Sequence, residues 1–305
     1  MENLCYYVNS RGILKSCDFK SPNPKSSCNN DFNYLNYMVQ SNKMFDNMSI
    51  YVCSDLILFF VVNILPKIKN NFVLVTGDSD LNVPKEILSE KQFNLLINSK
   101  YLLKWFAQNT QIQNSNKIIQ LPIGLDFHSI SNNPNHQWKL PNENHLPIFQ
   151  EKILQEIKNN SKPFYERINK IYVNFTTNKS NDRFNDRINS LRAISPNLLV
   201  MNLTFTPRTI NWNNTIKYTF VLSPFGNGMD CHRTWEALCL GCIPILKAPN
   251  FKSLFEDLPV LIVNNWSEVT EDLLNITINN FKSKTFNYEK LTLEYWKGMI
   301  KINNL

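Results

Sequence analysis

The sequence predicts an α/β chain built as two Rossmann-type, doubly wound halves facing a cleft. Three observations predict it. Short apolar strands alternate with helix-period segments along most of the 305 residues, the pattern that parallel sheets with crossover helices require. The alternation is interrupted once, at residues 129–147, where Asn132-Asn133-Pro134-Asn135, Pro141 and Pro147 replace the apolar pattern. Finally, three of only seven glycines fall between positions 226 and 241, whereas roughly 20 would be typical at ~7% usage. Glycine this scarce marks places where the backbone needs it.

In order along the first half, residues 12–15 read as a short strand that ends before Ser16-Cys17-Asp18, and 48–53 as a second. Ser54 is placed to cap a helix over 55–65 that Pro66 stops. Residues 72–76 form a near-continuous apolar run, as expected of a strand covered on both faces, and lead into Gly77-Asp78-Ser79-Asp80. A helix over 87–98 and strands over 102–106 and 118–123 complete a first domain at 1–130. Residues 131–150 are the expected linker.

The second domain is expected at 151–285. A helix over 148–158 leads into it, followed by a strand over 170–175, a polar loop at 176–182, a helix over 183–193 and a strand over 199–203. Residues 217–246 form the most informative unit: strand 217–222, glycine loop, helix 230–240, Gly241 as its stop, strand 242–246. A short helix near 249–254, a strand at 260–263, a helix at 269–278 and a terminal helix over 291–302 follow.

A glycine loop running into a helix start suits an anion such as a pyrophosphate, because N–H groups and the positive end of the helix dipole converge there. Ser223, Gly226, Asn227, Gly228 and His232 belong to this loop and helix start. Arg233 offers a forked donor to phosphate oxygens. Glu236, three residues on, shares its helix face and is placed to accept ribose hydroxyls. An exposed Arg233–Glu236 ion pair is the plainer alternative.

The run Ser223-Pro224, Arg233-Thr-Trp-Glu236-Ala237 and Gly241-Cys-Ile-Pro244 resembles the donor-binding motif of exostosin-like glycosyltransferases of the two-domain GT-B class. The match spans about 25 residues and is only suggestive elsewhere. The resemblance implies a nucleotide-sugar donor, UDP-sugar favoured, with Arg233 at its phosphates and Glu236 at its ribose. It implies a glycan or glycosylated protein as acceptor, no required cofactor or metal, and a terminal segment, 286–305, that returns to the first domain. A non-catalytic glycan- or nucleotide-binding protein of the same fold is the alternative from another class.

Other sites follow from strand ends, which face the ligand crevice in open α/β sheets. Thr177, Lys179 and Arg183 in the loop after residue 175 are donors suited to phosphates, with Arg183 preferred over Arg187 as nearer the strand end. Asp78 and Asp18, after the expected strands 72–76 and 12–15, are the candidate catalytic bases. Asp78-Ser-Asp80 also spells the Asp-x-Asp of metal-dependent GT-A enzymes, the second enzymatic alternative. Asp126 and His128 are candidates for the cleft or for a structural turn.

Composition sets the outer limits. Charged residues at 19% and hydrophobic ones at 43% describe a folded chain. A net charge of +7 suits an anionic substrate. No stripe of basic residues interleaved with aromatics points to nucleic acid. Seven cysteines in irregular spacing fit a cytoplasmic or otherwise reducing compartment better than a disulfide framework. Neither a signal peptide nor a membrane anchor is readable: the longest apolar stretch, 56–65, is too short to span a bilayer.

Overall fold

The computed structural model describes residues 1–21, 32–41, 43–113, 115–177, 182–202, 204–247 and 251–301. The strands are β1 Met48–Cys53, β2 Phe72–Gly77, β3 Leu102–Gln108, β4 Ile118–Leu121, β5 Ile168–Val173, β6 Leu199–Met201, β7 Tyr218–Leu222, β8 Ile243–Leu246 and β9 Leu261–Ile262. The helices used below are α1 Ser10–Ser16, α2 Asn33–Gln40, α3 Glu90–Ile97, α4 His128–Asn132, α5 Pro147–Asn159, α6 Asp186–Ala193, α7 Arg208–Thr215, α8 His232–Cys239, α9 Glu271–Lys282 and α10 Leu293–Ile300.

Two wholly parallel sheets result, one of four strands in the order β1-β2-β3-β4 and one of five in the order β6-β5-β7-β8-β9. Their central strands are apolar on both faces: Phe72, Val73, Leu74 and Val75 of β2 and Phe220, Val221 and Leu222 of β7 are all buried, as parallel sheets covered on both sides demand. The chain is therefore α/β with two Rossmann-like sheets. The order in the second sheet reverses between β5 and β7, which creates a switch point where crevices open at strand C-termini. The named strands of the first sheet run in sequence order without a reversal, so the doubly wound expectation is met only in the second.

Residues 12–15 are not a strand. They lie in α1, whose N-cap Asn9 accepts a hydrogen bond from the Gly12 N–H at 2.7 Å through its side-chain oxygen. Apolar runs this short do not distinguish strand from helix by periodicity, and the cap decides it. Residues 55–65 do not form one regular helix either. The chain passes from a 3₁₀ turn at Ser54–Leu56 through one α turn to a π-helical stretch, Phe60–Ile64. Ser54 makes no capping bond, and its buried hydroxyl is unpartnered.

The segment 129–147 is not a bare linker. It begins in α4 and runs along α7, where the Arg208 N–H donates to the Trp138 carbonyl at 2.8 Å. One hydrophobic core joins the halves, bringing Val73, Val75 and Phe106 of the first sheet together with Val221, Trp235 and Leu246 of the second half. The C-terminal segment closes on the N-terminus: Val8 N–H donates to the Leu291 carbonyl at 2.9 Å, and Leu293 N–H to the Tyr6 carbonyl at 2.8 Å. Among the described residues, no helix is long and apolar enough to cross a membrane.

Candidate functional site

A cavity of about 730 Å³ opens between the two sheets, at the C-terminal ends of β5 and β7. Its walls include Gly226, Asn227, Gly228, His232, Arg233 and Glu236 from the glycine loop and α8, and Asp80 and Asp126 from the first half.

The loop between β7 and α8 is held from several sides. Buried Asp186 accepts the Phe225 N–H at 3.0 Å. The Gly226 N–H donates to the Gly228 carbonyl at 3.0 Å, and the Asp230 N–H to the Asn109 side chain at 3.0 Å. Three N–H groups expected to face an anion are thus already engaged within the protein. The loop glycines sit in close quarters: a Cβ at 226 would meet the Arg187 guanidinium at 3.0 Å, and one at 228 would meet Asn109 and Asp80 at 3.0 and 3.1 Å, so these side chains would have to give way. Gly241 differs, since its φ of +71° is a left-handed helix stop. Ser223 does not line the cavity; its hydroxyl shares a 2.7 Å hydrogen bond with Thr234, stapling the loop to α8.

At the start of α8 the N-cap residue Cys231 makes no side-chain bond to the first turn, and its carbonyl accepts the Thr234 N–H at 3.0 Å, so the N–H groups of His232 and Arg233 are the ones that face an anion. Arg233 packs over the Phe175 ring at 4.9 Å and donates to the Pro224 carbonyl at 3.3 Å. Arg187 packs over the same ring at 5.7 Å, donates to the Thr176 carbonyl at 2.9 Å, and leaves its buried Nε without a partner. Burial pushes the Arg233 value down to about 10, drawn back by Cys231 and lowered further by Arg187. Two guanidiniums therefore share one aromatic ring beside the glycine loop, and among the described residues no carboxylate is ion-paired to either. Partly burying like charges this way is costly, and an anion between them would relieve the cost.

Of the two arginines at the start of α6, the cavity is lined by Arg187 and not by Arg183. Arg183 precedes the helix and forms an ion pair with Glu86 of the first half. Thr177 is exposed and outside the cavity wall, which takes Thr176 instead. Lys179 lies outside the described residues.

Glu236 faces Arg208, which sequence reasoning missed, at 3.8 Å. Arg208, buried at the start of α7, stacks on Trp138 at 5.0 Å, sits 3.6 Å from Asp126 Oδ2, and donates to the Asp126 carbonyl and to Gln150 Oε1. The plainer alternative, an Arg233–Glu236 ion pair, is not what forms: Glu236 pairs instead with Arg208, across α7 and α8. Burial raises the Glu236 carboxyl above its ordinary value, opposed mainly by Arg208.

The first-half carboxylates divide into structural and cavity groups. Asp18 is structural. Its carboxylate accepts from Ser49 N and Ser49 Oγ at 2.9 and 2.7 Å, and Phe19 adds a parallel bridge to Ile50. Ser49 lies at the N-terminal end of β1, so Asp18 is at the end of the sheet away from the crevice. Asp78 does follow β2 but turns inward to a buried ion pair with Arg11 at 3.2 Å. Burial raises its carboxyl to about 6 despite Arg11. Two residues on, Asp80 reaches the cavity wall. The Asp-x-Asp pair is thus split between two environments.

Asp126 lines the cavity and accepts from Ser129 N and Oγ at 2.9 and 2.7 Å. Burial works against its ionisation, but His128, Arg208 and His232 outweigh it and hold the carboxyl well below the usual range. His128 Nδ1 lies 3.2 Å from Asp126 without hydrogen-bond geometry, and burial lowers its value to about 4. His232 reaches across the cleft: its Nδ1 lies 2.7 Å from the Gly124 carbonyl.

The chain matches no protein-family model, and no curated protein is significantly similar to it.

Proposed function

We propose that this chain is a glycosyltransferase of the two-domain GT-B class. It would move a sugar from a nucleoside-diphosphate donor, UDP-sugar favoured, to a glycan or glycosylated-protein acceptor. The reading rests on the resemblance around Ser223-Pro224, Arg233–Glu236 and Gly241–Pro244. One observation carries it further: a single cavity at the switch point of the second sheet is lined by this motif on one side and by first-half residues on the other. Arg187 and Arg233 with the uncapped start of α8 hold the diphosphate. Glu236 takes the ribose hydroxyls, and the acceptor lies against the wall that contains Asp80. Charge developing on the leaving phosphates is stabilised by groups already in place.

A non-catalytic binding protein is the second reading, favoured by one observation: Asp18 and Asp78 are both engaged within the protein. Incubation with a panel of nucleotide sugars and glycan acceptors separates the two, with release of free nucleoside diphosphate as the readout. Affinity for the diphosphate without release supports the binder. The diphosphate is expected to bind equally in chelator and in manganese. A large manganese gain abolished by Asp80→Ala would move the reading to the metal-dependent class.

A further inference from the structure

We propose that His232 is the catalytic base of the transfer, accepting the proton of the acceptor hydroxyl at Nε2; this rests on the glycosyltransferase reading. The cavity contains five groups with lone pairs able to take a proton: Asp80, Asp126, Asp230, His232 and Glu236. Two are occupied by the protein, and Glu236 is taken by the donor ribose on the transferase reading. Asp126 is held by Ser129 and Arg208. Asp230 accepts from Ile123 N at 2.7 Å and from Trp235 Nε1 at 2.9 and 3.1 Å. Glu236 faces Arg208.

His232 differs because its tautomer is set. A carbonyl oxygen only accepts, so the 2.7 Å contact with Gly124 requires the hydrogen on Nδ1. The lone pair of the neutral ring is then on Nε2, and no hydrogen bond among the described residues engages it. The same contact fixes where the ring stands. It belongs to the first turn of α8, one residue before Arg233, yet is tied to Gly124, in the segment that follows β4 in the first half. That is the junction of the donor loop and the acceptor wall, where the reacting hydroxyl must lie. Asp80, which accepts no hydrogen bond among the described residues, lines the same cavity from the first half.

The step balances. The acceptor oxygen forms a bond to the anomeric carbon as its proton passes to Nε2. The bond from that carbon to the phosphate oxygen breaks, and its electron pair leaves with the nucleoside diphosphate. The imidazolium returns its proton to solvent.

His232→Asn tests this, because an amide N–H can still reach the Gly124 carbonyl while the Nε2 lone pair is gone. Turnover is expected to fall roughly 100- to 10,000-fold, with the dissociation constant for the nucleoside diphosphate, read by calorimetry, changed no more than about threefold. In His232→Ala, added imidazole is expected to restore part of the turnover. Turnover in His232→Asn within about threefold of the wild type overturns the inference alone. So does a loss matched by equally weakened diphosphate binding with no imidazole response, which marks a packing role. A wild-type protein that turns over no nucleotide sugar overturns the transferase reading, and this inference with it.

Discussion

At the residue scale, the arginines separate what the sequence reveals from what it hides. Arg233 and Glu236 are legible because helical spacing and a glycine loop are local signals. Arg187 and Arg208 are not, since their roles depend on contacts across the cleft. A weaker signal exists: no acidic residue occurs between Asp186 and Asp230, so an arginine of that stretch that becomes buried, as Arg208 does, needs a distant partner or an anionic ligand. Arg208 finds Asp126 and Glu236, while Arg187 and Arg233 find an aromatic ring and backbone carbonyls. Arg187→Ala and Arg233→Ala are each expected to weaken a nucleoside diphosphate by about 1.5–3 kcal/mol, the scale of a charged hydrogen bond, and to leave the free nucleoside nearly unchanged. Titration calorimetry of both ligands checks this. Equal weakening of both would remove these arginines from the phosphates. Arg183→Ala is expected to leave both ligands nearly unchanged, since its partner is Glu86.

At the element scale, the strands of the second half are legible because they are apolar, and α8 because it is bounded by a signal such as Gly241, but α7, the helix that carries Arg208, was not expected from the sequence. The first sixteen residues were not legible either. Their apolar run, Ile13 and Leu14, fits either element, and the deciding interaction is a cap that also makes tertiary bonds. Asn9 accepts from Gly12 N while its amide donates to the Glu2 and Tyr7 carbonyls at 3.2 and 3.0 Å. This matters beyond α1, because α1 supplies Arg11, the counter-ion of Asp78. The strand misreading is also what placed Asp18 at the crevice. Asn9→Ala removes the cap and leaves two carbonyls short of a donor, at an expected cost of about 2 kcal/mol. Urea unfolding measures it. A change under about 0.5 kcal/mol would show that packing of Ile13 and Leu14 alone holds the helix.

At the scale of the whole molecule, two sheets were foreseeable and the seam between them was not, because none of its bonds is local in sequence. Buried Asp230 lies at its centre, bonded to Ile123 across the cleft and to Trp235 within α8. Together with the core that spans both sheets, this makes one cooperative unit, so calorimetric unfolding is expected as a single transition. Asp230 also gives that unit a pH signature. Burial raises its carboxyl to about 6, against the pull of Ile123, Trp235 and His232. An acid whose folded value exceeds its unfolded one binds its proton more tightly in the fold. Its contribution is therefore complete below the unfolded value near 4 and is lost as pH rises through 6. Asp230→Asn stays neutral and lacks this dependence. The stability of the wild type relative to Asp230→Asn is expected to fall by on the order of 3 kcal/mol between pH 4 and pH 7, read from paired denaturation curves. A difference that stays flat across that range would mean that the hydrogen bonds to the carboxylate fully offset its burial.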